Sequence, residues 1–402
     1  MIKDIFENKK ILIWGYGREG KSSEKYIREN CNVRELEIFE GDFSDIELAK
    51  WDLILKSPGI YLKNRPENVT SETEIFLNEF ANQTIGITGT KGKSTTSSLM
   101  HSVLTSCGKK SILLGNIGKP CFDYINEIDP DTYIVFELSC HQLMHIKTAP
   151  AYSIFLNLYP EHLDYYGNID DYFKAKANIV LKQKKGGIAL IGENVPEIRH
   201  DSKQIIVRDS AEKDDIRLQI PGEHNKLNAL FVKKMAVDVL GLPEASVSKG
   251  LFEFTGLPHR LEFFKEIDGT RYYDDSISTI PEATINAAKS IPGADVILIG
   301  GMDRGIDYSV LVDFVCENTN IKFILMYETG KRILNEIKEK YKTVPQNIYC
   351  VDELSEAVKC AVNLRSKGKA VILSPAAASY GYFKNFEERG DKFKEYVNEI
   401  QA

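Results

Sequence analysis

A glycine-rich loop between an apolar strand and a helix constrains the fold of this chain more than any other feature of its sequence. Residues 85–96 read Ile-Gly-Ile-Thr-Gly-Thr-Lys-Gly-Lys-Ser-Thr-Thr, a pattern that predicts a buried strand, a tight turn and a helix beginning near Lys93. Such a turn directs backbone N–H groups and a helix N-terminus at phosphate oxygens. We therefore expect an α/β domain that binds a nucleotide at this loop.

The residue types in this loop suit nucleotide phosphates. Gly89 and Gly92 permit close approach, and Lys93 would neutralise the β- and γ-phosphates. The hydroxyl group of Ser94 would help to hold Mg²⁺. The candidate nucleotide-binding residues of the loop are Gly89, Thr90, Lys91, Gly92, Lys93, Ser94 and Thr95. The spacing departs from the ordinary Walker pattern, which would place a glycine where this chain has Ile87.

Short β-rich runs alternate with helical patterns along the whole chain, which is typical of parallel α/β sheets. We predict three α/β domains in series: residues 1–81, 82–257 and 258–402. The first and last are expected to be Rossmann-like, and the central one to be a P-loop ATPase-type domain with a mostly parallel sheet. The second boundary is set by Pro258, which interrupts any helix in the connector Gly256-Leu-Pro-His-Arg260.

The composition and charge of the chain limit which classes of partner and which cellular compartment we predict for it. The formal net charge is -7, so no basic surface argues for nucleic acid or for an anionic membrane. No apolar run approaches the roughly 20 residues that span a bilayer. The first residues, MIKDIFENKKILIWG, lack the pattern of a signal peptide, and the seven cysteines contain no Cys-x-x-Cys pair. We expect a cytoplasmic enzyme, with a monomer as the default state.

A second glycine motif, Gly15-Tyr-Gly17-Arg-Glu-Gly20, follows the predicted strand Lys10–Trp14 and opens a helix. The position and spacing suit a dinucleotide fold, in which Glu37 or Glu40 would bind the ribose. This reading allows an NAD-dependent oxidoreductase, although that class leaves the loop at residues 89–95 unexplained. Other diphosphates use the same helix terminus, so the motif alone does not choose the ligand.

Three further residues suit metal or phosphate chemistry, although each also has an ordinary structural explanation. Glu137 ends the strand Tyr133–Glu137, and a carboxylate at the carboxyl end of a strand beside a phosphate loop can bind Mg²⁺. His162 lies in a loop after an apolar strand, where local hydrogen bonds would also explain it. By chemistry alone, Lys174 and Lys176 are solvated lysines on a helix.

The loop Gly-Thr-x-Gly-Lys-Ser-Thr at residues 89–95 resembles the Mur ligases and the related folylpolyglutamate synthases. The latter place this loop near the N-terminus, so the residues ahead of it favour the Mur ligases, which act on UDP-sugar acceptors. The resemblance implies that ATP phosphorylates a carboxylate of the acceptor and that an amino-acid amine displaces the phosphate. It also implies a carbamylated Lys176 and two Mg²⁺ ions, with Ser94, Glu137, His162 and Lys176 as the metal ligands.

Further matches to the Mur ligases extend the predicted ATP site. Asn225 and Asn228 match two asparagines that lie near the adenine, and Asn225 also suits a helix N-cap. Arg260 matches an arginine that reaches the phosphates, and Asp275 an acidic residue near the ribose. The resemblance thus implies the catalytic set Lys93, Glu137, His162, Lys176 and Arg260.

The glycine motif at residues 15–20 resembles the site that Mur ligases use for the UDP-sugar acceptor. Ser57-Pro58-Gly59 resembles a second loop of that site, and Gly115-Asn116-Ile-Gly118 a contact from the central domain. The acceptor-binding residues implied by the resemblance are Gly17, Arg18, Glu19, Ser57, Pro58, Gly59, Asn116, Gln142 and His162.

Residues 373–390 resemble the signature of the D-glutamate-adding branch of the Mur ligases. The resemblance implies that Ser379, the Phe386 backbone, Thr279 and Arg304 bind the incoming amino acid. One position departs, because Ile277 stands where the family usually has a lysine and thereby removes a cation. The same chemistry with L-glutamate or another amino acid is therefore an alternative. A non-catalytic nucleotide-binding regulator is another, opposed by the joint presence of the catalytic set.

Overall fold

The computed structural model describes residues 2–161, 163–220 and 222–400, which form two compact units. The first unit comprises the residues up to Arg217 together with Glu223–Glu253, and the second comprises Leu218–Gly222 and the residues from Phe254 onward. The first unit carries two β-sheets and the second carries one. This architecture confirms the predicted α/β class with three sheet-based parts.

The first sheet is built around the glycine motif near the N-terminus. Its strand order is β2-β1-β3-β4, and all neighbours are parallel. The apolar strand β1 is central because its residues are buried and pair on both sides. The elements are β1 (Lys10–Trp14), α1 (Arg18–Asn30), β2 (Glu35–Phe39), β3 (Leu53–Lys56), β4 (Val69–Thr70) and α2 (Glu72–Phe80).

The second sheet places the phosphate loop at its centre. The order is β10-β9-β8-β5-β7-β6, entirely parallel, and the loop follows the central strand β5. Its elements are β5 (Thr84–Thr88), α3 (Lys93–Ser106), β6 (Ser111–Gly115), β7 (Tyr133–Glu137), α4 (Cys140–Leu143), β8 (Tyr152–Phe155), α5 (Leu163–Tyr166), α6 (Ile169–Leu181), β9 (Ile188–Gly192), β10 (Lys203–Val207), α7 (Glu223–Lys234), a π-helical turn (Met235–Val239) and α8 (Glu244–Glu253).

The third sheet has the order β11-β12-β16-β13-β14-β15, with only the β11–β12 pair antiparallel. Alternate residues of its central strand β13 enter two separate apolar cores, so both faces of the sheet are covered. Its elements are β11 (Glu262–Ile267), β12 (Thr270–Asp274), α9 (Pro281–Ser290), β13 (Ala294–Gly300), α10 (Ser309–Glu317), β14 (Lys322–Met326), α11 (Tyr327–Tyr341), β15 (Ile348–Cys350), α12 (Leu354–Leu364), β16 (Ala370–Leu373) and α13 (Phe386–Glu399).

One continuous apolar core joins the first two sheets into a single unit. Phe76 of α2 is fully buried, and its ring meets that of Phe136 on β7 edge-on, with centroids 5.6 Å apart. The predicted boundary between residues 81 and 82 therefore lies inside one packed unit, whereas the boundary of the second unit, at Phe254, lies close to the predicted position 258. The three-domain limits themselves stay a prediction.

The structure follows the predicted elements closely where the strands are apolar, and differs where they are polar. The strands Tyr133–Glu137, Lys322–Met326 and Ala370–Leu373 have the predicted limits. The edge strand β11 was not predicted, because its residues Glu-Phe-Phe-Lys-Glu-Ile are mostly half-buried and alternate poorly. Within the described part of the chain, every helix is too short or too polar to cross a lipid bilayer.

Replacing Phe76 tests the shared core of the first unit. Phe76→Ala should lower the free energy of unfolding by about 3–5 kcal/mol, because a fully buried ring leaves a cavity between α2 and β7. Urea denaturation followed by tryptophan fluorescence measures this loss. Phe252→Ala is the matched control, since Phe252 is 50% exposed and should change stability by less than about 0.5 kcal/mol. Equal effects of the two substitutions would contradict the core assignment.

Candidate active site

The phosphate loop adopts a conformation that only glycine accommodates easily at two positions. Gly89 has φ = +156° and Gly92 has φ = +85°, the latter directly before α3. A Cβ atom on Gly92 would lie 2.7 Å from the side-chain oxygen of Asn228. The glycines therefore allow the loop to turn tightly onto α7, and the first N–H groups of α3 are left for an anion.

Asn157, in the segment after β8, clamps the loop from the side. Its Oδ1 accepts hydrogen bonds from the backbone N–H groups of Thr90 and Lys91 at 3.1 and 2.9 Å, and its Nδ2 donates to the Lys91 carbonyl at 3.1 Å. The sequence analysis did not assign a role to this residue. The sequence feature that could have indicated this role is a polar residue directly after the apolar strand β8, which pairs with β5 in the sheet.

Two lysines share one carbonyl oxygen of the loop. Lys93 Nζ donates to the carbonyls of Gly89 and Thr90 at 3.1 and 3.0 Å. Lys176 Nζ donates to the same Gly89 carbonyl at 2.9 Å, and to Thr88 Oγ1 at 3.4 Å. Lys176 is thus a buried residue rather than a solvated one. Burial, reinforced by the charge of Lys93, lowers the pKa of Lys176 to about 7.

Lys176 and Lys174 differ sharply although they lie two residues apart on α6. The side chain of Lys174 is 71% exposed and pairs with Asp171, whereas Lys176 is 1% exposed and lies 4.9 Å from the ring centroid of Tyr172. The helix phase explains this, because positions two apart on a helix point to different sides. Lys176 is therefore the lysine that can act at the loop.

Glu137 supplies an anionic atom without a partner beside this loop. It is 1% exposed, and its Oε1 accepts a 2.7 Å hydrogen bond from Asn116. The other carboxylate oxygen, Oε2, is closed to solvent and has no hydrogen-bond partner within the described part of the chain. An orphaned buried carboxylate oxygen is costly unless a cation completes it, which suits a hard divalent ion. His162, the other predicted metal ligand here, lies outside the described residues.

The predicted adenine contacts lie on α7. Asn225 and Asn228 are both buried, and Asn228 contacts the loop at Gly92. The predicted N-cap role of Asn225 is wrong, because α7 begins two residues earlier, at Glu223. A carboxylate at that earlier position also suits the helix dipole.

Seven of the nine predicted acceptor residues, all except Gln142 and His162, line one cavity of about 410 Å³ in the first unit. Two loops approach closely at its base, because Gly15 lacks a side chain: a Cβ there would lie 2.9 Å from Ser57 Cβ. Ser57 Oγ also donates to the Gly15 carbonyl at 2.8 Å. The lining residues are Gly15, Gly17, Arg18, Glu19, Ser57, Pro58, Gly59, Gly115, Asn116, Gly118 and Pro120.

Gln142 and Lys56 fix the wall of this cavity. Gln142 Nε2 donates to Glu19 Oε1 at 2.7 Å, which joins α4 to α1. Lys56 is 6% exposed, and its ammonium group donates to the carbonyls of Ser57 and Ile60 at 2.9 and 2.7 Å. Lys56 therefore holds the loop after β3 in place. The burial of Lys56 could not be predicted from the sequence, since a lysine that ends a strand has no local pattern that indicates burial.

In the second unit, the connector after Pro258 is anchored through its histidine. His259 is buried, and its Nδ1 lies 2.7 Å from Asp274 Oδ2 at the end of β12. Arg260, next in the chain, is exposed. Burial alone would lower the pKa of His259, but the hydrogen bond and charge of Asp274 outweigh it and raise that pKa. The buried pair thus directs the predicted phosphate-contacting arginine outward.

Asp274 and its neighbours His259 and Glu262 could in principle hold a metal ion, since their ligand atoms lie within 4.8 Å of one another. A cation is already present, however. Lys394 Nζ lies 2.6 Å from Glu262 Oε2 and 3.5 Å from Asp274 Oδ2. The ammonium group therefore balances these carboxylates, and we assign no metal there.

Asp275, the predicted ribose contact, is held by a dense set of hydrogen bonds. Its Oδ2 accepts from the hydroxyls of Ser278 and Ser374 at 2.5 and 2.7 Å, and its Oδ1 accepts from the Leu261 N–H at 3.1 Å. Burial raises its pKa to about 6, although these bonds oppose the shift. In this arrangement Asp275 joins the connector to β12 and β16.

The predicted amino-acid-binding segments meet around a buried arginine that the sequence analysis did not assign. Arg389 is fully buried and donates to Ser276 Oγ, to the Ser276 carbonyl and to the Ala377 carbonyl at 3.0, 2.7 and 3.0 Å. Ser276 Oγ in turn donates to the Phe386 carbonyl at 2.8 Å. Arg389 thus fixes the segments that follow β12 and β16 relative to α13.

The remaining amino-acid-site residues lie on these same segments. Arg304 is exposed, and its guanidinium group reaches the Thr279 carbonyl at 3.5 Å. Ser379 is 4% exposed, and its carbonyl accepts the Phe383 N–H at 3.0 Å. Ile277, which replaces the family lysine, is half-buried and donates its N–H to the His259 carbonyl. Arg304 is therefore the cation that remains beside Thr279.

Comparison with known proteins places this geometry among the Mur ligases. Residues 87–208 match the model of the Mur ligase middle domain. The UDP-N-acetylmuramoylalanine–D-glutamate ligase of Aquifex aeolicus is 36% identical over 420 residues, covering 96% of this chain and 98% of that protein. The enzyme of the same name from Caldanaerobacter subterraneus subsp. tengcongensis is 31% identical, covering 96% and 92%.

Solved structures share the fold at lower sequence identity. The UDP-N-acetylmuramate-alanine ligase MurC of Thermotoga maritima superposes with a TM-score of 0.59 at 18% identity, covering 98% of this chain and 100% of that chain. The MurF ligase of the same organism, in complex with ADP, gives a TM-score of 0.58 at 15% identity, covering 100% and 97%. These likenesses establish the fold.

Removing the clamp tests how the phosphate loop is held. Asn157→Ala removes three hydrogen bonds, worth about 1 kcal/mol each, and should weaken binding of ADP at least about tenfold. Isothermal titration calorimetry measures that affinity. The control is Asn194→Ala, because Asn194 donates to the nearby Leu158 carbonyl and does not contact the loop. An unchanged affinity for ADP in Asn157→Ala would contradict the role of Asn157 in holding the phosphate loop.

Proposed function

Since the chain belongs to the Mur ligase family, and within it to the UDP-N-acetylmuramoylalanine–D-glutamate ligases, we infer that it joins D-glutamate to UDP-N-acetylmuramoyl-L-alanine and converts ATP to ADP and phosphate. This is a step in the synthesis of the peptidoglycan precursor. The observation that carries the inference is the phosphate loop with two lysines on the Gly89 carbonyl, beside the orphaned carboxylate oxygen of Glu137.

The reaction proceeds in two displacements. The carboxylate of the acceptor's alanine attacks the γ-phosphorus of ATP, so that ADP leaves and an acyl phosphate forms. The amine of D-glutamate then attacks the acyl carbon, phosphate leaves with the electron pair of the acyl C–O bond, and the nitrogen loses a proton. Both displacements place negative charge on phosphate oxygens, so preorganised positive groups stabilise their transition states.

Within this scheme the phosphate loop binds and orients the nucleotide. The first N–H groups of α3 bind the phosphates, and the ammonium group of Lys93 moves from its loop carbonyls to the β- and γ-phosphates. Asn225 and Asn228 are assigned to the adenine side, Asp275 to the ribose and Arg260 to the phosphates. The loop segment Gly89–Thr95 provides the remaining nucleotide contacts.

The donor groups near the loop fit Mg²⁺. Ser94, Glu137, His162 and Lys176 in its carbamylated form are the proposed ligands, and the buried Oε2 of Glu137, which lacks a partner, is the observation that supports them. Bound Mg²⁺ would neutralise charge on the transferring phosphoryl group. We propose two ions, since the phosphate and the acyl oxygen both need a cation.

The environment of Lys176 favours its carbamylation. Its pKa of about 7 leaves a large fraction of the amine unprotonated at neutral pH, and only that form attacks CO₂. The new N–C bond forms as the amine loses a proton, so a cation becomes an anion. This change removes the repulsion between Lys176 and Lys93 and supplies carboxylate-like oxygens.

The two substrates are assigned to separate groups of residues. The cavity lined by Gly17, Arg18, Glu19 and the loop Ser57-Pro58-Gly59 takes the acceptor, together with Asn116, Gln142 and His162. Thr279, Arg304, Ser379 and the Phe386 backbone take D-glutamate. Because Ile277 stands where the family usually has a lysine, that lysine cannot help to bind a carboxylate of the amino acid here. We assign this carboxylate to Arg304.

The alternatives from other classes find no support. The relatives at 31–36% identity are ligases, and nothing in them indicates an oxidoreductase. Glu37, a candidate ribose-binding acid under that reading, instead pairs with Lys50 at 2.9 Å. A purely regulatory role would leave the buried Lys176 and the orphaned Glu137 oxygen without a function.

The choice of amino acid is tested by phosphate release. With ATP, Mg²⁺ and UDP-N-acetylmuramoyl-L-alanine, D-glutamate should support release and L-glutamate should not, because the relatives are D-glutamate ligases. Mass spectrometry should find a product heavier by one glutamyl residue. Release with L-glutamate alone would overturn the stereochemistry, and no release with either would overturn the assigned acceptor or amino acid.

A carbamate at Lys176 is tested by chemical rescue. Lys176→Ala should lower turnover by about 10²-fold or more, because the metal loses an anionic ligand, and short carboxylic acids such as acetate should restore part of it. Lys174→Ala is the matched control, on the same helix but 71% exposed, and should retain activity without any response to acetate. A full loss that no carboxylic acid relieves would contradict the carbamate.

A further inference from the structure

In and behind the wall of the acceptor cavity, buried carboxyl groups outnumber buried cations. Glu19 lines the cavity, with Oε1 bonded to Gln142, while Oε2 is closed to solvent and has no hydrogen-bond partner within the described ranges. Glu72 of α2 is 2% exposed and lies nearby. The buried cation beside them is Lys56, whose three protons are partly committed to the carbonyls of Ser57 and Ile60.

Helix geometry places the two carboxyl groups close to each other. Glu19 and Ser23 are four residues apart on α1 and so lie on one face of it. Ser23 Oγ donates to Glu72 Oε2 at 2.8 Å, which brings Glu72 to that face one turn from Glu19. The charges of the two carboxyl groups and of the Lys56 ammonium group sum to zero only when the carboxyl groups together keep one proton.

The hydrogen bonds of the two carboxyl groups differ. Both oxygens of Glu72 accept bonds, from Ser23 and from the Phe122 N–H at 3.1 Å, with the Cys121 thiol 3.3 Å away. Glu19 has one bonded and one orphaned oxygen. An orphaned buried carboxylate oxygen is an unfavourable place for a charge, so Glu19 is the carboxyl group that gains most from a further proton when a ligand adds negative charge.

We propose that the acceptor binds to this cavity together with a proton on Glu19, so that the enzyme recognises the diphosphate-bearing acceptor only when this carboxyl group is neutral. The proposal rests on the assignment of the cavity to the acceptor. Two effects of the ligand act in this direction: a diphosphate brings negative charge to the wall, and it expels water that would solvate a carboxylate.

The charges around Glu19 allow it to gain or lose its proton near neutral pH. Burial raises the pKa of Glu19 to about 7, against the opposing hydrogen bond from Gln142 and the charge of Lys56. Burial and the charge of Glu19 raise the pKa of Glu72 to about 8. Arg18 is exposed at the cavity mouth, where its guanidinium group contacts Gly118. The positive end of α1 favours an ionised Glu19, but it favours the ligand's phosphates equally.

The proton taken up with the acceptor predicts how the KM for the acceptor changes with pH. Below about pH 7 Glu19 is already neutral, and the KM for the acceptor should be constant. Above that pH the competent fraction falls, so this KM should rise about tenfold per pH unit, while the KM values for ATP and D-glutamate should not follow it. The diphosphate diester of the acceptor does not titrate in this range.

The variant Glu19→Gln isolates the proton. An amide is always neutral and its oxygen can still accept the bond from Gln142, so in the variant the KM for the acceptor should no longer rise between pH 7 and pH 9, whatever its value at low pH. Glu29→Gln, the same substitution at an exposed position on α1, should behave like the unmodified enzyme. A flat KM profile in the unmodified enzyme, or an unchanged rise in Glu19→Gln, would overturn the proposal.

A binding measurement on the unmodified protein removes any dependence on how well the variant folds. UDP-N-acetylmuramoyl-L-alanine is titrated into the protein with Mg²⁺ and a non-hydrolysable ATP analogue at pH 8, in two buffers of different ionisation enthalpy. The heats should differ by the amount for nearly one proton taken up. Binding without proton uptake overturns this inference alone, whereas no binding at any pH overturns the assigned acceptor.

Discussion

Two ammonium groups lie within hydrogen-bond distance of one backbone carbonyl, that of Gly89, and the first unit is organised around this arrangement. Burial, and after it the like charge of Lys93, lowers the pKa of Lys176 to about 7. The nearby carboxylate of Glu137 partly offsets this positive charge, and the proposed nucleotide phosphates and carbamate would offset it further. The parallel sheet brings these groups together, because β5 and β7 are neighbours and end at the same edge.

The same logic, a buried charge that requires a ligand or a proton, recurs in the acceptor cavity with the opposite sign. At the phosphate loop, excess positive charge favours the phosphates of a nucleotide. In the cavity beside Glu19, excess negative charge would oppose a diphosphate unless a proton is added. The two sites lie in one unit with a shared core, so their electrostatic requirements are fixed by one rigid packing around Phe76 and Phe136.

Local patterns in the sequence were sufficient for the phosphate loop, the glycine motif at residues 15–20 and most of the apolar strands. These features depend on residues near one another in the chain, where glycine spacing and period are readable. Resemblance to the Mur ligases selected Lys176 over Lys174, and its burial agrees with that choice. Lys56, Asn157 and Arg389 escaped notice because their roles depend on partners that are distant in sequence, such as Ser276 for Arg389.

Gly390 of α13 has no side chain where a Cβ atom would lie 2.2 Å from His259 Nδ1 and 2.5 Å from Asp274 Oδ2. Asp274 is itself fully buried, and the side chains of His259, Lys394 and Arg389 face it. A neutral residue at position 274 would leave the ammonium group of Lys394 without one of its two carboxylate neighbours. Positions 274 and 394 should therefore vary together among relatives. Gly390 should stay a glycine, because any side chain there would push His259 and Asp274 apart.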